Sequence, residues 1–192
     1  MQSVKRLIRK AVYPNPRGVS VGDGSRICRP RRIRGGEYLT MGDRAWIEAH
    51  SSIEAVCKWR AQRFQPRISI GSDVYIGRYF FMTAVGMVRI DDGCVLAEHV
   101  YITDCGHGLD PREGPIMERP LFSKGEVVIG ARTFLGYRSC VLAGVELGEN
   151  CVVGANSVVT RSFPSHSMVV GVPARLIKTY SPDRGVWEPV DG

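Results

Sequence analysis

The chain lacks several features that would have fixed its class early. No apolar run approaches the roughly 20 residues needed to span a bilayer. The basic N-terminal stretch with Lys5, Arg6, Arg9 and Lys10 is not followed by the apolar core of a signal peptide, so export is not expected. No Cys-x-x-Cys spacing occurs among Cys28, Cys57, Cys94, Cys105, Cys140 and Cys151, which argues against a zinc or disulfide framework and for reduced thiols in a cytoplasmic protein. Histidine is scarce: His50, His99, His107 and His166 are the only four.

At 192 residues, one domain with a sizeable core is expected. An apolar content of 44% with 22 glycines suits a turn-rich β protein. The net charge of +7 suits anionic partners, whether phosphate-bearing molecules or an acidic membrane surface, or simply a solvated basic surface. Val4, Leu7, Ile8 and Val12 mark one face of a short helix over 1–16, a cap for the fold or a foothold for peripheral membrane association at the inner face.

Between 129 and 164, aliphatic residues recur every six positions: Ile129, Leu135, Val141, Leu147, Val153 and Val159. Glycines follow one place later at 130, 136, 148 and 154. Thr133, Ser139, Val145, Cys151 and Ser157 follow four places later. A period of six is neither helical nor a plain strand alternation, and it reads as a hexapeptide β-solenoid. Each unit gives a short strand and a corner, and three units close a triangular coil. The anchor points to the centre, and the fourth-place residue must be small because it also points inward. Glycine relieves crowding at the corner, having no Cβ and accepting unusual backbone angles. Stacking of coils supplies the core.

The same phase runs earlier through Val21, Ile27, Ile33, Met41, Ile47 and Ile53, then Ile70, Ile76, Met82, Ile90, Leu96 and Ile102. It is lost between Ile53 and Ile70, where Lys58, Trp59, Arg60, Arg63, Phe64 and Arg67 suggest an extruded loop at a subunit contact or an acceptor-site rim. Interleaved bases and aromatics also occur in nucleic-acid binders, but the composition requires only a loop. After Ile102 the next anchor comes 27 residues later, so about 21 residues leave the solenoid, and a long loop in a compact domain usually carries function. The expected layout is a solenoid over 20–172 with a loop at about 107–126, then a short helix near 174–180 and an irregular tail to 192.

Phe134-Leu135-Gly136, Leu142-Ala143-Gly144-Val145-Glu146-Leu147-Gly148, Gly154-Ala155-Asn156-Ser157-Val158-Val159-Thr160 and Gly171-Val172-Pro173-Ala174-Arg175 resemble the C-terminal signature of the hexapeptide-repeat O-acetyltransferases. That family includes galactoside, maltose, nodulation-sugar and polysaccharide-modifying enzymes. The resemblance implies an all-β fold, a parallel β-helix wound left-handed, although parallel crossovers are generally right-handed. It also implies a homotrimer, acetyl-CoA as acyl donor, a sugar or glycan acceptor, no metal and no nucleic acid.

Acyl transfer to a hydroxyl needs a base near neutral pH, which histidine provides. His50 and His99 fall at outward corner places and His166 in a polar turn. His107 opens the long excursion and precedes Gly-Leu-Asp-Pro, resembling a catalytic histidine followed by Pro-Leu-Asp-Pro in the maltose and nodulation-sugar enzymes. His107 is therefore the candidate base, with Asp104 or Asp110 as candidates to orient its ring. Some polysaccharide-modifying relatives read Asp-His-x-His-Gly here, whereas this chain reads Asp104-Cys105-Gly106-His107-Gly108, so a nucleophilic Cys105 partnered by His107 is a second arrangement. By resemblance, Phe134 stands in for a tryptophan packed on the pantetheine arm, Gly136, Tyr137 and Ala155 lie beside it, and Thr160, Arg161 and Arg175 meet the nucleotide end.

The expected reaction is direct transfer of acetyl to a sugar hydroxyl of a surface polysaccharide, lipopolysaccharide or glycan precursor. N-acetylation of an amino-sugar nucleotide needs the same base and donor. A zinc hydratase of the γ-carbonic-anhydrase kind would need three histidine ligands, and His99 and His107 lack a well-placed third. A non-catalytic scaffold is the remaining class.

Overall fold

A computed structural model describes residues 15–190. The expected helix over 1–16 falls almost wholly outside the described residues. Short parallel strands stack into three sheets, one per face of a triangular prism.

The six-residue anchors fall in register within these faces. Val21, Met41, Ile70, Ile90, Ile129 and Leu147 pair in sequence along the first face. Ile27, Ile47, Ile76, Leu96, Leu135, Val153 and Val169 line the second. Ile33, Ile53, Met82, Ile102, Val141 and Val159 line the third. All but the first-coil anchors Val21 and Ile33 are buried in one apolar core that runs the length of the prism. An aliphatic side chain every sixth residue thus meets its counterpart one coil away, and each such burial contributes about 1.5–3 kcal/mol.

The fourth-place residues also point inward: Thr133, Ser139, Val145, Cys151 and Ser157 are all buried. Several tie neighbouring coils together, as when the Thr133 hydroxyl donates to the Gly148 carbonyl at 3.1 Å and the Cys94 thiol to that of Gly130 at 3.2 Å. Small size is a preference here, since Phe80 occupies the equivalent place fully buried.

The glycine after the anchor has a narrower role than the sequence suggested. A Cβ on Gly130 would lie 2.5 Å from the Gly148 carbonyl carbon, so clearance between stacked coils is what it supplies. The left-handed backbone falls two residues further on, three past most first- and second-face anchors, at Arg44, His50, Asp73, Tyr79, His99, Arg132, Arg138, Asn150 and Asn156. These residues turn the corners with φ between 55 and 67°, a conformation that strains any side chain with a Cβ.

The first-to-second and second-to-third steps are always six residues. Every insertion leaves between the third face and the first: after Ile33, Ile53, Met82 and Ile102. That corner therefore carries every loop inserted between coils.

At the C-terminal end the expected helix near 174–180 is instead a strand, Ala174–Ser181. It pairs antiparallel with Ser167–Gly171 on one side and with Val186–Pro189 on the other, so the tail expected to be irregular is itself part of the sheet. The exposed end of the second face offers unpaired backbone groups, and satisfying them outweighs weak local helix propensity. No helix among the described residues is long and apolar enough to cross a membrane.

Candidate active site

The excursion after Ile102 begins with Asp104. This carboxylate is fully buried and accepts the Val85 amide at 2.9 Å and the Gly86 amide at 2.7 Å, one coil below. Burial raises its pKa while these two amides oppose the rise. Gly106–His107 then pairs antiparallel with Leu121–Phe122, and the Gly108 amide donates to the Pro120 carbonyl at 2.7 Å. The excursion is thus a ribbon folded back on itself. Two short 3-10 turns, Pro111–Glu113 and Ile116–Glu118, form its tip. Asp110 caps the first turn and pairs with the Arg112 guanidinium, which holds its carboxyl below the usual range.

The basic and aromatic stretch after Ile53 is a second ribbon, Lys58–Trp59 against Gln62–Arg63. It leaves the same corner two coils earlier and reaches over to the excursion. The Trp59 indole N–H donates to the Arg119 carbonyl at 2.9 Å and Arg60 donates to that of Met117 at 3.0 Å. The Gln62 amide makes a reciprocal pair with the Leu121 backbone at 2.9 and 2.7 Å. The rings of Trp59 and His107 meet edge to face, 5.1 Å apart.

His107 is half-buried at this junction, and its Nδ1 has no hydrogen-bond partner among the described residues. Asp104 and Asp110, the two candidates to orient it, are engaged with the Val85–Gly86 amides and with Arg112. Cys105 bonds to Thr103, and burial pushes its thiol up to about 11, with Asp104 adding to the rise. A thiol held so far above neutrality is a poor nucleophile, because the thiolate is the reactive form. Trp59 and Gln62 were missed as site residues. The signal was available in the spacing, since their insertion and that of His107 leave the same corner.

The donor candidates fall on two edges and one end. Phe134 is exposed on the second face. Gly136, Tyr137 and Ala155 follow it at the second-to-third corner, where the Asn156 amide donates to the Tyr137 carbonyl at 2.8 Å. Thr160 and Arg161 lie at the third-to-first corner, with Arg161 over the Phe163 ring at 5.2 Å. Arg175 sits on the terminal antiparallel strand. His50, Tyr79, His99 and Tyr137 form a ladder of rings up the second-to-third corner, with centroids 4.8–5.5 Å apart. His99 and His107 therefore stand on different edges.

A repeat model described as the hexapeptide repeat of succinyl-transferase matches residues 126–161. The chain is 35% identical over 127 residues to an Escherichia coli K12 protein, WbbJ, named as a lipopolysaccharide biosynthesis O-acetyl transferase, with 63% of this chain and 65% of that one aligned. It is 28% identical over 147 residues to the galactoside O-acetyltransferase of the same organism, covering 73% and 64%. The chain thus spans just under two thirds of the length of these two relatives. Among solved structures, a mutant of AntD, an N-acyltransferase from Bacillus cereus in complex with dTDP-4-amino-4,6-dideoxyglucose and coenzyme A, superposes with a TM-score of 0.71 at 19% identity, covering 94% and 91%. Galactoside acetyltransferase in complex with coenzyme A gives 0.62 at 20%, covering 88% and 73%. The class is thereby defined as a left-handed hexapeptide-repeat β-helix. Within that class the chain is similar in sequence to the O-acetyltransferases.

Proposed function

We propose that the protein is an acetyl-CoA-dependent O-acetyltransferase that acts on a sugar hydroxyl of a surface polysaccharide, lipopolysaccharide or glycan precursor. The observation that carries this reading is His107, half-buried at the corner where both ribbons meet, with a ring nitrogen that has no hydrogen-bond partner among the described residues. The sequence relatives named for sugar O-acetylation support the acceptor class.

His107 takes the proton of the acceptor hydroxyl as its oxygen bonds to the thioester carbonyl carbon. A backbone N–H steadies the oxyanion of the tetrahedral intermediate. Collapse breaks the carbon–sulfur bond, and the proton returns from His107 to the departing thiolate. An acetyl ester and free coenzyme A result, and no metal or covalent enzyme intermediate is needed. With its raised thiol, Cys105 stays outside the reaction. Phe134, Gly136, Tyr137 and Ala155 would line the pantetheine arm, and Thr160, Arg161 and Arg175 the phosphate end. Since His107 and the Phe134 edge lie on different sides of one prism, a homotrimer in which a neighbour's edge faces His107 completes the site.

The test is release of coenzyme A thiol from acetyl-CoA, screened against sugars, oligosaccharides and sugar nucleotides. Acceptor-dependent release that falls about 10²-fold or more in His107→Ala is expected for loss of a general base. Equal turnover by the variant would remove His107 from the chemistry. Failure of acetyl-CoA to bind would favour a non-catalytic solenoid.

A further inference from the structure

An imidazole that accepts a proton in the reaction must be held in one orientation, and a carboxylate on its other nitrogen is the usual device. Here both nearby aspartates are engaged elsewhere. The ribbon that carries His107 has only two residue pairs, and an isolated two-stranded ribbon is marginally stable in water. Something else must fix it.

We propose that Trp59 is the positioning residue of His107, with Gln62 holding the returning strand in register. This rests on the reading of His107 as the base. Trp59 is the aromatic ring in edge contact with the imidazole, and its own ring is locked by the bond to the Arg119 carbonyl. Gln62 bonds both backbone groups of Leu121, the residue that pairs with His107.

The Trp59 ribbon is in turn anchored where the excursion is anchored. The Val56 and Arg67 amides donate to the carbonyls of Ala84 and Gly86 at 2.8 and 2.7 Å, while the amides of Val85 and Gly86 donate to Asp104. Both ribbons share one footing at 84–86 and meet again at their outer ends. Such a closed frame fixes a ring in a way that a free loop does not, and small misplacement of a catalytic group can cost about 10²-fold.

The experiment measures Trp59→Phe, Trp59→Ala and Gln62→Ala by steady-state turnover and by the NMR signals of the His107 ring, assigned with His107→Gln. In Trp59→Ala, kcat should fall about 10- to 100-fold with KM for acetyl-CoA unchanged. Trp59→Phe should recover part of the loss, and Gln62→Ala should lower kcat less. The His107 ring should lose orientational order, read by NMR relaxation, in Trp59→Ala while the rings of His50 and His99 keep theirs. Ring order does not depend on turnover or on the lost indole ring current, so it separates this proposal from the transferase reading. If order is lost although no acceptor is ever turned over, the positioning role stands and the proposed activity fails. If the His107 ring keeps its order in Trp59→Ala, or if KM rises with kcat unchanged, Trp59 does not position His107.

Discussion

The coils of 129–159 and the third-to-first corner between 53 and 129 are built from one chain by opposite rules. In the first region every coil is 18 residues and the same small set of side chains recurs at the same places. In the second there is no six-residue period, and polar bonds between ribbons replace apolar stacking. Stability is concentrated in the inward-facing anchors of the repeat and the proposed base in its interruption, so a substitution at either should leave the other's property nearly untouched.

The sharpest separation is expected from His107→Ala, which should lower turnover by about 10²- to 10⁴-fold while the thermal midpoint is maintained. A midpoint loss comparable to that of a core variant would erase the distinction. Leu147→Ala inverts the pattern: removal of a fully buried anchor should cost about 2–5 kcal/mol, read as a drop in midpoint of about 2–4 °C per kcal/mol for a chain of this size. Turnover of the folded fraction should persist. Gly130→Ala is a milder probe of the same region, since the added methyl meets the facing coil. Urea unfolding should show a loss of about 1–3 kcal/mol, typical of overpacking. The smallest effect distinguishes two thiols, one in each insertion. With its thiol near 11, Cys105 is ionised to only about one part in a thousand at pH 8, whereas Cys57 is exposed. Iodoacetamide at pH 8 should label Cys57 well before Cys105 by mass spectrometry, and the Cys105 rate should rise as pH climbs toward 11.

The regular region was legible because a fixed period is visible without tertiary information: the anchors from Val21 to Val159 all pair with the partners their spacing implied. The excursion was legible only in outline. Its position and His107 could be read, and the spacing puts the Trp59 insertion on the same corner, but the bonds that join them span 59 and 60 residues, and no local pattern encodes which side chains meet. Asp104 and Asp110 were reasonable orienters by proximity in sequence, yet each is engaged in bonds that hold the excursion's own shape. The strand Ala174–Ser181 was misread as a helix because its fate is decided by a sheet edge on which it happens to land.

The confinement of every insertion to one corner gives this solenoid something like a reading frame. Two of its three corners count strictly in sixes, and a residue added there would throw every later anchor off its stack. The third corner tolerates 2, 11 or 21 extra residues and restores the count at the next strand. New material can enter the molecule at that single column of positions without a change of frame, and successive insertions come to lie above one another on the same side. Two loops far apart in sequence are thus brought within reach by the arithmetic of the coil before any contact between them is made.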